Sequence, residues 1–74
     1  MFKQFDNVEL TRDLIHNKDF ISSDNTDYPK GSKATVLELH EDWAMIEIYE
    51  PEDKWGVLDV SYNDIKKYNG GYHV

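Results

Sequence analysis

Alternation of apolar and polar positions marks short strands along most of the chain. Val8 and Leu10 alternate with Asn7 and Glu9, the period of a half-buried strand. This predicts a first strand from Phe5 to Leu10, with Phe5 anchoring its start. The same pattern predicts a second strand over Ala34 to His40 and a third over Ala44 to Tyr49. A fourth runs from Trp55 to Asp59 or Val60, and a short fifth from Ile65 to Tyr68. Glu41-Asp42 forms a tight turn with Trp43 beside it, and Pro51-Glu52-Asp53-Lys54 forms the next. Ser61-Tyr62-Asn63-Asp64 reads as one helical turn, because Ser, Asn and Asp side chains bond nearby backbone. Asn69-Gly70-Gly71 turns the chain into a tail, 69–74, expected to fray.

Residues 11–33 break the alternation. Leu14, Ile15 and Phe20 show no clear period, and Thr11 is placed to cap a short helical turn. Ser22-Ser23-Asp24-Asn25-Thr26-Asp27 is a loop cluster, and Pro29-Lys30-Gly31 is a turn signal. A connection of about 20 residues is long for a compact domain. Leu14, Ile15 and Phe20 are expected to tie it back to the body. Five short strands, a long first loop and a helical turn before the last strand suggest a small barrel, in which closure removes exposed edges.

Regular alternation assigns the faces. In the third strand Ala44, Ile46 and Ile48 point inward, while Trp43, Met45, Glu47 and Tyr49 point outward. Leu37 and Leu39 are expected inside, with Val36, Glu38 and His40 outside. Gly56, Leu58 and Val60 point inward, leaving Trp55, Val57 and Asp59 outside. The carboxylates of Glu47 and Asp59 favour this choice, since an unpaired buried carboxylate is strongly penalised. The outer face then carries Trp43, Met45, Tyr49, Trp55 and Val57 among acids, and Tyr and Trp are enriched at binding hot spots. The competing reading is that the tryptophans cover a barrel end or pack under the long loop.

Composition sharpens this picture. The chain has 74 residues, 39% hydrophobic, 31% charged and 14% aromatic. That length fits one domain spanning 1–74, with little room for a core and a deep cleft together. Its aromatic content sets it apart from disordered chains. Fifteen acids face eight Lys and Arg, a net charge of −7. Direct nucleic-acid binding is disfavoured, because it needs cations that displace counterions from phosphates. The acids are unevenly spread: Glu38, Glu41, Asp42, Glu47, Glu50, Glu52 and Asp53 fall in a stretch without Lys or Arg. No apolar run approaches a membrane span and the N-terminus lacks a signal-peptide stretch, so a soluble cytoplasmic protein is expected.

Candidate chemistry is sparse. There is no cysteine, so disulfides, zinc thiolates and cysteine nucleophiles are excluded. His40-Glu41-Asp42-Trp43-Ala44 starts like a zinc-protease motif but has Ala where the second histidine belongs. His16, His40 and His73 are far apart in sequence. Asp24-Asn25-Thr26-Asp27 lacks the spacing of a calcium loop. Lys30-Gly31-Ser32 lacks the earlier glycine of a phosphate loop, and the serines lie in no nucleophile elbow. The expectation is a non-enzyme with no cofactor, metal site or catalytic residue.

Val8-Glu9-Leu10-Thr11-Arg12-Asp13-Leu14, then Lys30-Gly31-Ser32-Lys33-Ala34-Thr35-Val36-Leu37-Glu38-Leu39, then Ala44 to Tyr49, resemble a family of short bacterial proteins of unknown function with an SH3-like barrel. The resemblance spans most of 5–68. Ser32 stands where that family has Asp, and Ala34 where it has Gly. It implies an all-β, five-stranded SH3-like barrel and supplies no catalytic residues. Some small acidic proteins of this general kind are encoded beside toxins.

Charge and aromatics together lead to a non-enzymatic acidic protein-binding module as the expected function. Its sharpest form is an immunity- or antitoxin-type inhibitor of a basic partner, either a toxin or a nucleic-acid-binding protein. Trp43, Tyr49 and Trp55 are the expected anchors, and Glu38, Asp42, Glu47, Glu50 and Asp59 the steering charges. One alternative is a DNA-mimic inhibitor from a mobile element or phage, which needs acids spaced like phosphates. Another is an accessory domain of a larger complex, whose charge serves solubility alone. No membrane partner is expected.

Overall fold

The computed structural model describes residues 1–15 and 27–68. Five strands form one antiparallel sheet: β1 Asn7–Leu10, β2 Lys33–Leu39, β3 Trp43–Glu50, β4 Gly56–Ser61 and β5 Ile65–Lys67. Their order across the sheet is β4-β3-β2-β1-β5. The described residues contain no α-helix, only 3-10 turns at Glu52–Lys54 and Tyr62–Asp64. The second is capped as its composition predicts, with the Ser61 hydroxyl accepting from the Asn63 N–H. The strand ladder stays open, with β4 and β5 as its edges. The fold is therefore all-β, and the closed barrel expected from the sequence is not formed by hydrogen bonding.

The core lies on one face. Val8, Leu10, Ala34, Val36, Ala44, Ile46, Ile48, Leu58, Val60 and Ile65 are all buried there. The inward residues expected on β1, β3 and β4 are thus the observed ones. The loop after β1 supplies Leu14 and Tyr28, both 2% exposed. These two residues exchange backbone hydrogen bonds of 2.8 and 2.9 Å, so they fold the loop over the core as expected for Leu14. Ile15 is exposed instead, and Thr11 caps no helix. The Thr11 hydroxyl donates to the Asn63 carbonyl at 3.2 Å. Before β2, the Ser32 N–H bonds the Pro29 carbonyl at 3.1 Å across Gly31 at φ 90°. That is the turn predicted at Pro29-Lys30-Gly31, with glycine in the left-handed position that a type II turn needs.

Two expectations are corrected. Alternation assigns Leu37 and Leu39 to the core and Val36 to the outside, whereas Val36 is fully buried, Leu37 half-buried and Leu39 exposed. The cause is a bulge. Val36 pairs with Ile46 and Glu38 with Met45, so Leu37 is an extra residue. It shifts the phase of β2, which turns the Glu38 carboxylate away from the core. Leu39 returns to the core side opposite Ala44, at the open end where little covers it. Phe5 also anchors differently. Its side chain is 67% exposed, and its N–H bonds the Val36 carbonyl at 2.7 Å. Its φ of 70° belongs to a tight turn over 3–6, closed by the Asp6 N–H on the Lys3 carbonyl and the Asp6 carboxylate on the Lys3 N–H. The positions of Phe20, His16, His73, the cluster 22–26 and the tail 69–74 lie outside the described residues.

Candidate functional site

Alternation on β3 presents Trp43, Met45, Glu47 and Tyr49 on the face away from the core. Cross-strand register sets their neighbours. Met45 lies opposite Glu38 on one side and Asp59 on the other. Glu47 lies opposite Thr35 and Val57, and Trp43 opposite Ser61. Directly opposite residues on a sheet face are in contact range. Glu38, Met45 and Asp59 therefore form one row, with Thr35, Glu47 and Val57 as the next.

The tryptophans are held differently. Trp55 is 59% exposed, and its indole N–H donates to Glu47 Oε2 at 2.8 Å. This bond fixes the ring against the acidic row and leaves most of it in solvent. Trp43 is exposed to 36% and stacks on His40, with ring centroids 3.9 Å apart and planes at 15°. His40 in turn bonds the Glu38 carboxylate at 3.0 Å. Neither tryptophan is buried in the core, and Trp55 is the more exposed of the two.

Other expected site residues stand apart. Asp42 is exposed at the tip of the β2–β3 turn. Glu50 ends β3 opposite Lys33, beside a cation and outside the acidic rows. Tyr49 is half-buried, with its hydroxyl 3.4 Å from Asn7 Oδ1, in a shallow groove of about 320 Å³ shared with Asn7, Thr35 and Glu47. Burial, with Tyr68 and Glu50 adding to it, raises its phenol above the usual value. It is part of the sheet surface rather than a projecting anchor.

A second hollow was not visible in the sequence. Phe2, Leu39, His40, Glu41 and Tyr62 line a cavity of about 460 Å³ together with Met1. Phe2 and Tyr62 stack with centroids 5.8 Å apart, and the Tyr62 hydroxyl donates to the His40 carbonyl. These residues are distant in sequence, and only the excess of aromatics hinted at such a contact. Among the described residues no three His, Cys, Asp or Glu side chains are grouped to hold a metal ion. No described helix is long and apolar enough to cross a membrane. The geometry offers a surface of carboxylates and fixed indoles, suited to recognising cationic groups through charge and ring faces.

Comparison of the chain with protein-family models, with curated proteins and with solved structures finds no match.

Proposed function

We propose that this chain is a non-enzymatic protein-binding module that engages a basic protein through the outer face of β2, β3 and β4. Its sharpest form is an inhibitor of the immunity or antitoxin type. One observation carries the reading. Trp55 is mostly solvent-exposed yet held in one orientation by Glu47, within a face that also exposes Trp43, Val57, Glu38 and Asp59. A small domain gains core stability by burying its indoles. An indole fixed outside, among carboxylates, gains nothing from burial until a partner covers it. Pre-ordered aromatic anchors lower the entropy cost of association, and the acids raise the encounter rate with a cation. For the scaffold, we propose an SH3-like, partly open barrel. The return of β5 to the side of β1 and the 3-10 turn before it support this.

The test is capture of binding proteins from source-cell lysate at low and high salt, followed by association kinetics with what is captured. A salt-sensitive basic protein is expected. Asp42→Lys with Asp59→Lys should slow its association roughly tenfold at low salt. Trp55→Ala should speed dissociation instead, by an amount typical of a hot spot. Capture of no basic protein, or association rates unchanged by the charge reversal, would refute the reading.

A further inference from the structure

The two edges of the sheet are built differently. β5 is three residues long and carries Lys66 and Lys67, the short and cationic kind of edge that resists added strands. β4 is six residues long, contains neither Pro nor Lys, and pairs with β3 in unbroken register. Among the described residues β4 has β3 as its single strand partner. Val57 on this edge is 42% exposed beside the exposed Trp55.

The hydrogen-bond phase identifies which groups of β4 are open. The Val36 N–H bonds the Asp6 carbonyl at 3.0 Å, and the Val36 carbonyl accepts from Phe5 at 2.7 Å. Both backbone groups of Val36 thus point toward the N-terminal segment and away from β3. Its partner Ile46 must then direct its own groups toward β4, since successive residues of a strand alternate sides. The His40 N–H to Trp43 carbonyl bond of 2.9 Å fixes the same phase independently. It turns Trp43 toward β2, hence Ala44 and Ile46 toward β4. Leu58 and Val60, opposite Ile46 and Ala44, are therefore tied to β3. Val57 and Asp59 present their N–H and C=O groups to the open edge.

We infer that β4 accepts an extended basic segment of the partner as an added strand, bonded to the backbone of Val57 and Asp59. The inference rests on the reading of this chain as a binder of a basic protein. Charge selects the occupant. Asp59 and the Glu47 opposite Val57 flank the outer side of this edge, so residues of the added strand on that side are cationic. Residues on the other side lie on the core side of the sheet, level with the buried Leu58 and Val60, and are apolar. Backbone bonds supply affinity and the alternating side chains supply specificity, as in other strand additions.

The probe is a six-residue peptide of alternating Lys and Val with blocked ends, about as long as β4. A Glu-Val peptide of the same length is the control. Amide exchange of the native chain is followed residue by residue by NMR at low salt. The Lys-Val peptide should slow exchange at Val57 and Asp59 at least about tenfold, with little change at Leu58 and Val60. The Glu-Val peptide should change neither pair. Val57→Pro removes no bond to β3, so it should keep the fold while weakening the Lys-Val peptide about threefold or more. Asp59→Pro serves the same purpose if Val57→Pro does not fold. Failure of the Lys-Val peptide to bind, or binding without protection of Val57 and Asp59, overturns the inference. So does protection that grows with protein concentration in the absence of peptide, which assigns the edge to a second copy. Capture of a basic protein whose affinity ignores Val57→Pro removes this inference and leaves the binding function standing. Protection by the peptide with no basic protein captured removes the binding function, and with it the partner segment, and leaves only an edge able to take a basic strand.

Discussion

Gly56 shows how one residue sets the fit between the loop and the sheet. A methyl group at this position would overlap the Tyr28 hydroxyl. Tyr28 is 2% exposed and tied to Leu14 by backbone bonds through both its N–H and its C=O, so its backbone cannot move aside without breaking them. Gly56→Ala is therefore an overpacking change, expected to destabilise the protein by about 1–3 kcal/mol. Tyr28→Phe removes the atom that the methyl strikes and leaves the ring carbon at 3.2 Å from the ideal Cβ position. Urea denaturation of both single variants and the double variant isolates the coupling. It should be favourable by roughly 1 kcal/mol or more. Additive effects would mean that the loop does not rest on β4 at Gly56. Phe5 illustrates the opposite case, a bulky residue at positive φ with its ring in solvent. Its conformation is set by the 3–6 turn and the bond to Val36, not by burial of its own side chain.

At the scale of elements, the bulge in β2 decides which apolar residues build the core. Val36 is fully buried, whereas Leu37 is only half-buried. Val36→Ala is expected to cost about 1–3 kcal/mol and Leu37→Ala less than about 1 kcal/mol, although leucine loses the larger side chain. Equilibrium unfolding of the two variants reads this directly. A larger loss at Leu37 would restore the unbulged register. The same element explains how far the sequence could be read. On β1 apolar and polar residues alternate, and on β3 and β4 the carboxylates of Glu47 and Asp59 mark the outward phase, so the inward faces follow from period two. On β2 the run Val36-Leu37-Glu38-Leu39 fits either phase, because an extra residue leaves no mark in composition. The second irregularity, at Lys33 and Ala34, takes Glu50 out of the acidic rows and sets it opposite Lys33. The exposure of Trp43 and Trp55 was legible from alternation. The bond that orients Trp55 depends on the return of the chain after the Glu52–Lys54 turn, which local pattern does not encode. The contact of Phe2 with Tyr62 spans nearly the whole chain and was equally invisible.

Across the whole molecule, charge is divided between the two sides of the sheet. The ion pairs Arg12–Asp64 at 2.9 Å, Lys33–Glu9 at 3.6 Å and Lys67–Asp6 at 3.9 Å gather around β1 and β5. On the β2–β4 side, Glu38 meets only a histidine and Glu47 an indole N–H among the hydrogen bonds and ion pairs of the described residues. Asp42 and Asp59 have no ion-pair partner among the described residues. With a net charge of −7, these carboxylates repel one another in the folded state more than in the expanded chain. An acidic face kept for a partner therefore works against the stability of the isolated domain. Asp42→Lys and Asp59→Lys should leave the melting temperature unchanged or raise it, by no more than about 3 °C each. Salt at about 0.15 M shortens the Debye length to about 8 Å and should stabilise the native chain more than either variant. Thermal melts of the three proteins at low and moderate salt test this. A fall of several degrees on reversal would mean that the two carboxylates support the fold itself. Stability that holds or rises, together with loss of association with a basic partner, would separate binding from folding at these two positions, the trade-off expected of a surface shaped by function.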